Sequence, residues 1–419
     1  MIPSRPIRLA ALLPIWITGL GALAGTGCDD AGDGANVADA RPDAPAPFTS
    51  YPEFVADAGP GPDAPAGMCD LGPWTGNDKL APSASPPCAL TPAQVPMFVS
   101  VGWDDNGSAE GMNWAVDMLN ARGGLASFYM TSGQAGSRAT IEAWRKARAF
   151  GHEIGNHTDT HFNGKSYTAQ EWETDIGRCN TFLTTTHFVA PQAEIIGFRT
   201  PFLAYNDAML ATVKKLGFQY DCSIEEGLQA DADGTNYLWP YTLDARSPGH
   251  TLLAARPDSG RAEIEPHPGL WELPVYQVIV PPDAEAANYG VAPGMRTKFS
   301  KVQAWFADSQ GPTAGKITGF DYNMWARSTD GGFAMTRDEF VATLKYTLDQ
   351  RLKGNRAPFL FGAHTPFYAA PWNSNAPGAT APERRQAMEQ FLDYARSKPE
   401  VRITTARAVL DWMRNPRPN

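Results

Sequence analysis

The stretch that decides the fold runs from Met97 to Ser108 and reads MFVSVGWDDNGS. Its first seven residues are apolar or small, which predicts a buried strand. Two aspartates, Asp104 and Asp105, follow directly, and Asn-Gly comes next. Adjacent acids before Asn-Gly are typical of a solvated turn, whereas a carboxylate pair at the end of a buried strand is a candidate for chemistry. The choice depends on what the rest of the chain places at the same edge of the sheet.

From this strand onward, short strand-like runs alternate with longer helical patterns, several of which open with Ser or Thr. Such alternation predicts a parallel sheet with helical crossovers, and we expect an α/β fold, a distorted (β/α) barrel of about seven parallel strands. Residues 225–335 are irregular and rich in Pro, Gly and Trp, so we expect long loop insertions there. The later strand-like runs include ASFYMT (126–131), HEIGNH (152–157), AEIIGFR (193–199), YDCSI (220–224) and PFLFGAH (358–364).

The N-terminal segment carries Arg5 and Arg8, then an apolar stretch that ends in small residues before Cys28, which predicts an export signal. It is either an ordinary cleaved signal or a lipoprotein signal whose cysteine becomes acylated. The next forty residues hold eight acids against Arg41 and are rich in Ala, Pro and Gly, which predicts disorder. The predicted organisation is a signal peptide (1–28), a disordered tether (29–68), an N-terminal entry segment (69–96) and a barrel domain (97–415).

The formal net charge is −10 for 419 residues, and much of it lies in the tether, so the remainder is only mildly acidic. The sequence has no basic patch of the kind that would indicate a nucleic-acid partner. We expect an exported monomer, held at the cell envelope or surface as a lipoprotein and otherwise secreted. Its contact with a membrane would be limited to the N-terminal lipid anchor.

The five cysteines fit an exported protein, in which disulfides are permitted. Setting Cys28 aside leaves four, which allow three pairings. Proximity in sequence favours Cys69 with Cys88 and Cys179 with Cys222. No CxxC spacing is present, which argues against a cysteine zinc site.

Polar clusters follow several of the predicted strands, at the ends where parallel α/β folds gather their catalytic side chains. Two histidines four apart can point the same way and, with a carboxylate, ligate zinc. A neighbouring carboxylate can then act as a base, and a further histidine as an acid. Alone, an HxxxH pair is weak support, but four clusters at strand ends indicate one shared site. The clusters are Asp104 and Asp105, then His157 and His161 in HTDTH, Arg199 in FRTPF, and His364 in FGAHTPF.

The order of these motifs resembles the polysaccharide deacetylases, the family-four carbohydrate esterases. Within that family the chain is most similar to the chitin deacetylase group, through YDCSI, LWPYTLD, HPGLWELPV and NRAPFLFGAH. The resemblance covers residues 95–412. It departs from the family pattern in GWDDNG, where Asn106 follows the aspartates, and in Phe202, where tyrosine is common.

The resemblance implies a role for each clustered residue. It also implies a carboxylate beside the acidic histidine, for which Glu272 and Asp321 are candidates. The implied roles are Asp104 as general base, Asp105, His157 and His161 as ligands of Zn²⁺ or another divalent ion such as Co²⁺, Arg199 as the cation orienting Asp104, His364 as general acid, and the Phe202 amide as oxyanion donor.

The expected activity is hydrolysis of N-acetyl groups on N-acetylglucosamine units of an acetylated polysaccharide, which is chitin-like, peptidoglycan or an exopolysaccharide. An O-acetyl esterase with the same metal site and a non-catalytic carbohydrate-binding protein are the alternatives. Most tryptophans should lie in the core. Trp239, Trp271 and Trp372 fall in Pro-flanked irregular segments, where their rings could stack on sugars.

Overall fold

The computed structural model describes residues 69–256, 259–303, 306 and 315–419. All of them belong to one unit of the chain, Gly59–Asn419. The predicted signal peptide, Cys28 and the predicted tether lie outside the described residues. Within the described part, no helix is long and apolar enough to cross a membrane.

The described strands begin with the predicted run that ends in the two aspartates. That first strand is buried along its whole length, as its apolar sequence predicts. The strands are β1 (Met97–Asp104), β2 (Ser127–Met130), β3 (Glu153–Asn156), β4 (Gly197–Phe198), β5 (Tyr220–Asp221), β6 (Glu225–Glu226), β7 (Tyr241–Leu243), β8 (His267–Glu272), β9 (Val275–Ile279), β10 (Lys316–Thr318), β11 (Phe359–His364) and β12 (Val401–Ile403).

The described helices occupy the crossovers between parallel strands and some of the insertions. Several begin at the Ser or Thr that the sequence suggests: Ser108 caps the first helix by accepting a hydrogen bond from Gly111 N, and Thr168 and Glu171 form a capping box at the third. The helices are α1 (Ala109–Asn120), α2 (Arg138–Ala149), α3 (Ala169–Thr181), α4 (Asp207–Lys215), α5 (Pro248–Ala254), α6 (Met295–Val302), α7 (Asp321–Trp325), α8 (Arg337–Lys353), α9 (Ala381–Arg396) and α10 (Ala406–Arg414).

The main sheet has the strand order β11-β1-β2-β3-β4-β5-β8-β7, with β12 also paired to β1. The seven strands from β11 to β8 are mutually parallel, and β7 runs antiparallel at the edge. The predicted α/β class and the run of about seven parallel strands are therefore confirmed.

The barrel is incomplete, because in the described residues no pairing joins β7 or β8 to β11. The region 225–335 supplies one strand of the parallel run, β8, and also a separate three-stranded sheet of order β10-β9-β6. Beyond β10, Phe320 makes an isolated parallel bridge with Gly362 of β11. The predicted insertions therefore fold into a second sheet, and its last strand leads into a segment that pairs with β11.

Two hydrophobic clusters cover the two faces of the parallel sheet, as the twofold periodicity of buried strands requires. The larger cluster joins Val99, Val101 and Trp103 of β1 to the apolar face of α1. The other contains Phe98 of the same strand together with Trp271 of β8. The side chains of one strand therefore alternate between the two clusters.

Cys69 and Cys88 form a disulfide, as predicted, with their Cα atoms 5.6 Å apart. The predicted pairing of Cys179 with Cys222 is wrong, because both are buried free thiols. Cys179 lies in the larger cluster and Cys222 in the other, so their side chains belong to different cores. Proximity in sequence could not reveal that separation.

Candidate active site

The carboxyl ends of β1, β3, β4 and β11 bring the predicted site residues to one edge of the sheet. Asp104, the last residue of β1, is the direct register partner of His364, the last residue of β11. His157 follows β3 and continues its ladder, donating its amide to Met130 O at 3.0 Å. Arg199 follows β4 and donates its amide to Asn156 O at 3.1 Å. Parallel pairing therefore gathers residues that are far apart in sequence.

The turn after β1 is anchored rather than solvated. Asp105 and Asn106 both adopt left-handed backbone angles, with φ of 65° and 64°, which Asp and Asn tolerate better than most residues. Asn106 is fully buried, and its Nδ2 donates to Trp103 O at 2.8 Å and to Tyr129 O at 2.9 Å. Asp104 is only 2% exposed. The Asn that departs from the family pattern thus fixes the turn that presents both aspartates.

Asp105, His157 and His161 form a compact set of possible ligands. One ligand atom from each lies within 4.8 Å of the others. Asp105 Oδ1 is 2.9 Å from His161 Nε2 and 3.6 Å from His157 Nε2. His161 itself has a left-handed φ of 53°, and its amide donates to Thr158 Oγ1 at 3.2 Å. The HTDTH segment is thus a tight turn rather than a helix.

The protonation of this triad suits a divalent cation. His157 Nδ1 lies 2.8 Å from Arg199 O, so the tautomer that donates there leaves the Nε2 lone pair free. Burial lowers the pKa of His157 to about 4, which keeps the ring neutral at neutral pH. Burial alone would raise the pKa of Asp105, but the neighbouring histidines, His161 foremost, hold it well below its usual range. The side chain of Asp105 is therefore ionised at neutral pH.

An orphaned oxygen supports the same interpretation. Asp105 Oδ1 is buried and makes no hydrogen bond of acceptable geometry, although it lies close to His161. A buried carboxylate oxygen without a donor is costly, and a cation held between it and the two imidazoles would remove that cost. One carboxylate and two imidazoles are a donor set for Zn²⁺ and for similar divalent ions. The residues present therefore fit a metal.

Asp104 is held by Arg199. Arg199 Nη1 donates to Asp104 Oδ1 at 2.9 Å and to Gly102 O at 3.2 Å. Burial opposes the charge of Arg199, but Asp104 outweighs it and raises the pKa of the guanidinium. A Cβ on Gly102 would come within 2.7 Å of Arg199 Nη1, so only glycine leaves room for this contact. Arg199 thus keeps Asp104 oriented beside Asp105.

Phe202 lies beside His161 of the triad. It has a left-handed φ of 59° and a ring that is 57% exposed, with the ring centroid 4.8 Å from that of His161. In the described residues its N–H finds no protein acceptor. An amide without a protein acceptor, next to these possible ligands, is available to an oxygen atom of a bound molecule.

Asp321, one of the two candidates for the carboxylate beside His364, fills that position. Its Oδ1 lies 2.7 Å from His364 Nδ1, and its Oδ2 accepts the His364 amide at 2.9 Å. Burial opposes protonation of the imidazole, but Asp321 outweighs it and raises the pKa of His364 to about 9. The other candidate, Glu272, is the register partner of Asp221 in β5. It accepts the Ile224 amide at 3.1 Å.

The expected sugar stacking by Trp239 and Trp271 is wrong in this structure. Their exposures are 2% and 0%, and both belong to a hydrophobic cluster. Trp271 lies within β8 and donates to Asp78 Oδ2 at 2.8 Å, so an apparent Pro-flanked loop is in fact a central strand. Trp372, in contrast, is 37% exposed.

Sequence reasoning missed Asp221 at the same edge of the sheet, and it considered the neighbouring Glu272 only as a partner of His364. Asp221 ends β5 and Glu272 ends β8, and both are fully buried. The rule that singled out Asp104 and His364, a polar residue at the end of a buried strand, applies equally to the aspartate of YDCSI. That signal was present in the sequence.

Several known proteins are similar to parts of this chain in sequence or in fold. A candidate polysaccharide deacetylase of known structure from Mycobacterium smegmatis aligns over 81% of this chain and 97% of its own, with 14% identity and a TM-score of 0.46. The structure of peptidoglycan deacetylase PdaC from Bacillus subtilis aligns over 30% of this chain and 58% of its own, with 20% identity and a TM-score of 0.26. Chitin deacetylase 8 from Bombyx mori is 23% identical over 353 residues, which cover 81% of this chain and 76% of that protein. Residues 97–220 match the family model described as polysaccharide deacetylase. The part of the chain from β1 to the start of β5 is therefore similar to a polysaccharide deacetylase domain.

Proposed function

We propose that this protein is a metal-dependent hydrolase that removes N-acetyl groups from N-acetylglucosamine units of a polysaccharide. The observation that carries the proposal is the arrangement of Asp104, the Asp105-His157-His161 triad and His364 around one edge of the sheet. It would supply a carboxylate, a site for a cation and a charged imidazole at the same edge.

The triad would hold a divalent cation, with Zn²⁺ the first candidate and Co²⁺ another. When bound there, the cation would polarise the acetyl carbonyl and lower the pKa of a water molecule. Asp104, oriented by Arg199, would take the proton from the attacking water. The Phe202 N–H would donate to the carbonyl oxygen as negative charge develops on it.

His364 favours an amide over an ester as the substrate. An amine is a poor leaving group unless it receives a proton, whereas an alkoxide leaves more readily. The carboxylate of Asp321 keeps His364 charged at neutral pH, so a proton is available on the side where the nitrogen departs. The His364–Asp321 pair is therefore suited to amide hydrolysis, which is more demanding than ester hydrolysis.

The proposal includes a location for the protein outside the cytoplasm. The disulfide between Cys69 and Cys88 is consistent with an oxidising compartment, and so with the predicted export. A polymer at the cell envelope or surface would then be the accessible substrate, whether chitin-like, peptidoglycan or a secreted polysaccharide. We propose that the protein acts on it as a monomer.

The test is acetate release from chitin oligomers, peptidoglycan and acetylated xylan, with and without a chelator. Release from an N-acetylated polymer that the chelator abolishes and Zn²⁺ restores is the expected result. Release from xylan alone would show an O-acetyl esterase. Binding to these polymers without release, at full metal occupancy, would show the non-catalytic alternative.

A further inference from the structure

A second group of hydrogen-bonded polar residues lies at the same edge of the sheet, apart from the residues given a role in the proposed reaction. Asp221 and Glu272 are direct register partners at the ends of adjacent strands, and both are completely buried. Glu272 Oε2 is buried and finds no hydrogen-bond donor among the described residues, and two adjacent buried carboxyl groups do not both ionise, so a proton on one of them would bridge the pair. Burial raises the pKa of Asp221 to about 6 and that of Glu272 well above its usual range. We therefore assign the proton to Glu272.

This pair is not a second metal centre. In the described part of the chain, three ligand atoms come together only at Asp105, His157 and His161. The hydrogen bonds that the two carboxyl groups accept come from backbone and hydroxyl donors.

Ser223 connects the pair to the loop after β4. Its hydroxyl donates to Asp221 Oδ1 at 2.7 Å and accepts the Thr200 N–H at 2.9 Å. Its own amide donates to Asp221 Oδ2 at 3.2 Å. Because the hydroxyl proton is committed to a carboxylate, its lone pairs face the Thr200 amide. The buried residues Thr200, Ser223 and Asp221 thus form one directed series of hydrogen bonds, which the proton assigned to Glu272 would extend to that residue.

The loop needs such an anchor because its geometry is unfavourable. The left-handed φ of 59° at Phe202 is unfavourable for a residue other than glycine. The exposed Phe202 ring adds little packing to offset that cost. Pro201 has no N–H and a fixed φ, so the Thr200 amide is the last backbone donor before Phe202. Holding Thr200 therefore restricts the direction of the Phe202 N–H.

The same segment also holds the arginine of the site. Arg199 Nε donates to Cys222 O at 3.1 Å, next to the contact between Thr200 and Ser223. Two consecutive residues after β5 thus bind two consecutive residues after β4. Resting on the proposed function, we propose that Ser223, Asp221 and Glu272 are positioning residues that aim the Phe202 N–H at the acetyl oxygen.

A matched pair of variants at Glu272 tests this proposal. Glu272→Gln keeps a donor for Asp221 and an acceptor for the Ile224 amide, whereas Glu272→Leu has a similar volume and keeps neither. We expect Glu272→Gln to retain kcat within about threefold and Glu272→Leu to lose at least about tenfold, with KM changed less than about twofold. Removing an oxyanion donor outright costs about 10²- to 10³-fold in kcat, so a misaimed donor should cost less.

Ser223→Ala provides a second variant, should Glu272→Leu fail to fold. It removes the acceptor of the Thr200 amide, and we expect a similar loss in kcat with unchanged Zn²⁺ content. Amide hydrogen exchange of the peptide spanning residues 199–203 gives a readout that does not depend on activity. Exchange should be faster in Ser223→Ala and Glu272→Leu, and unchanged in Glu272→Gln.

Equal kcat and equal exchange in wild type and Ser223→Ala would overturn the proposal, as would equal effects of Gln and Leu at position 272. A wild-type protein that releases no acetate from any polymer overturns the proposed function instead, and with it the aim at an acetyl oxygen. Hydrogen exchange would then still decide whether these residues anchor the loop.

Discussion

Asp321 contacts both the imidazole ring and the backbone amide of His364. Asp321 Oδ1 lies 2.7 Å from His364 Nδ1, and Oδ2 accepts the His364 amide at 2.9 Å. The segment before Asp321 pairs with β11, because Gly362 donates its amide to Gly319 O at 2.8 Å. Two contacts to one carboxylate fix both the tautomer and the direction of the ring. The other ring nitrogen of His364 is therefore free to serve a substrate.

Asp321→Asn should move the alkaline limb of the pH–kcat profile to lower pH. In wild type, the carboxylate raises the pKa of His364 to about 9, so the acid form is present below that pH and is lost above it. Without the charge, burial dominates and the pKa falls to about 6.5 or lower. At pH 8 kcat should therefore drop by about 30-fold or more, and the loss should shrink at pH 6.

The same variant should also change stability in a pH-dependent way. A histidine whose pKa is raised on folding contributes stability that is complete below its unfolded pKa and is lost as the pH rises through the folded one. Denaturation by urea should show Asp321→Asn destabilised more at pH 6 than at pH 10. An unshifted alkaline limb in this variant would rule out His364 as the acid.

Asp104→Asn should separate catalysis from metal binding. Asn keeps an oxygen for Arg199 but cannot take a proton, so we expect kcat to fall by about 10²- to 10⁴-fold. The metal content, measured by plasma mass spectrometry, should stay at the wild-type level because Asp104 is not in the ligand set. Asp105→Asn is the matched control, and it should lose metal and activity together. Retained turnover in Asp104→Asn would place the base elsewhere.

The residues that could be located from the sequence share one property: each ends a buried parallel strand or directly follows one. Parallel strands place their carboxyl ends at one edge of a sheet, so Asp104, His157, Arg199 and His364 can be grouped from the order of strands along the chain. Helix starts such as Ser108 can also be recognised, because capping is local in sequence.

Other features depended on contacts that no local pattern encodes. Asp321 reaches His364 through backbone pairing between segments that lie 43 residues apart. Trp271 lies in a strand between prolines, and a short apolar run of that kind cannot be assigned to core or loop by periodicity. Whether Cys179 and Cys222 could form a disulfide depended on which face of the sheet each thiol occupies.

Loss of the disulfide between Cys69 and Cys88 should destabilise the protein without affecting the site. The cysteines are 19 residues apart, and closing a loop of that size is worth about 3 kcal/mol in the chain-entropy model. The double variant Cys69→Ser/Cys88→Ser should unfold at lower urea concentration, with kcat unchanged. In a non-reduced digest, Cys179 and Cys222 should be recovered as alkylated thiols. A peptide joining the two would contradict the structure.

Trp271 and Trp372 should respond in opposite ways to substitution. Trp271 is fully buried and bonded to Asp78, so Trp271→Ala should lower the free energy of unfolding by about 3–5 kcal/mol. Trp372 is 37% exposed and packs on Phe367, whose ring centroid is 6.0 Å from that of His364. Trp372→Ala should therefore leave stability almost unchanged. Since stacking of aromatic rings is worth about 0.5–1.5 kcal/mol, it should raise KM for a long oligomer about 2- to 10-fold.

Chain length distinguishes stacking from a general disturbance of the site. If Trp372 contacts a sugar beyond the one being deacetylated, its loss should raise KM for a chitin tetramer and leave the reaction of a monomer unchanged. Equal effects on both lengths would mean that the ring acts on the metal site instead. A raised KM with normal stability in Trp271→Ala would show that this side chain reaches the sugar, which its complete burial argues against.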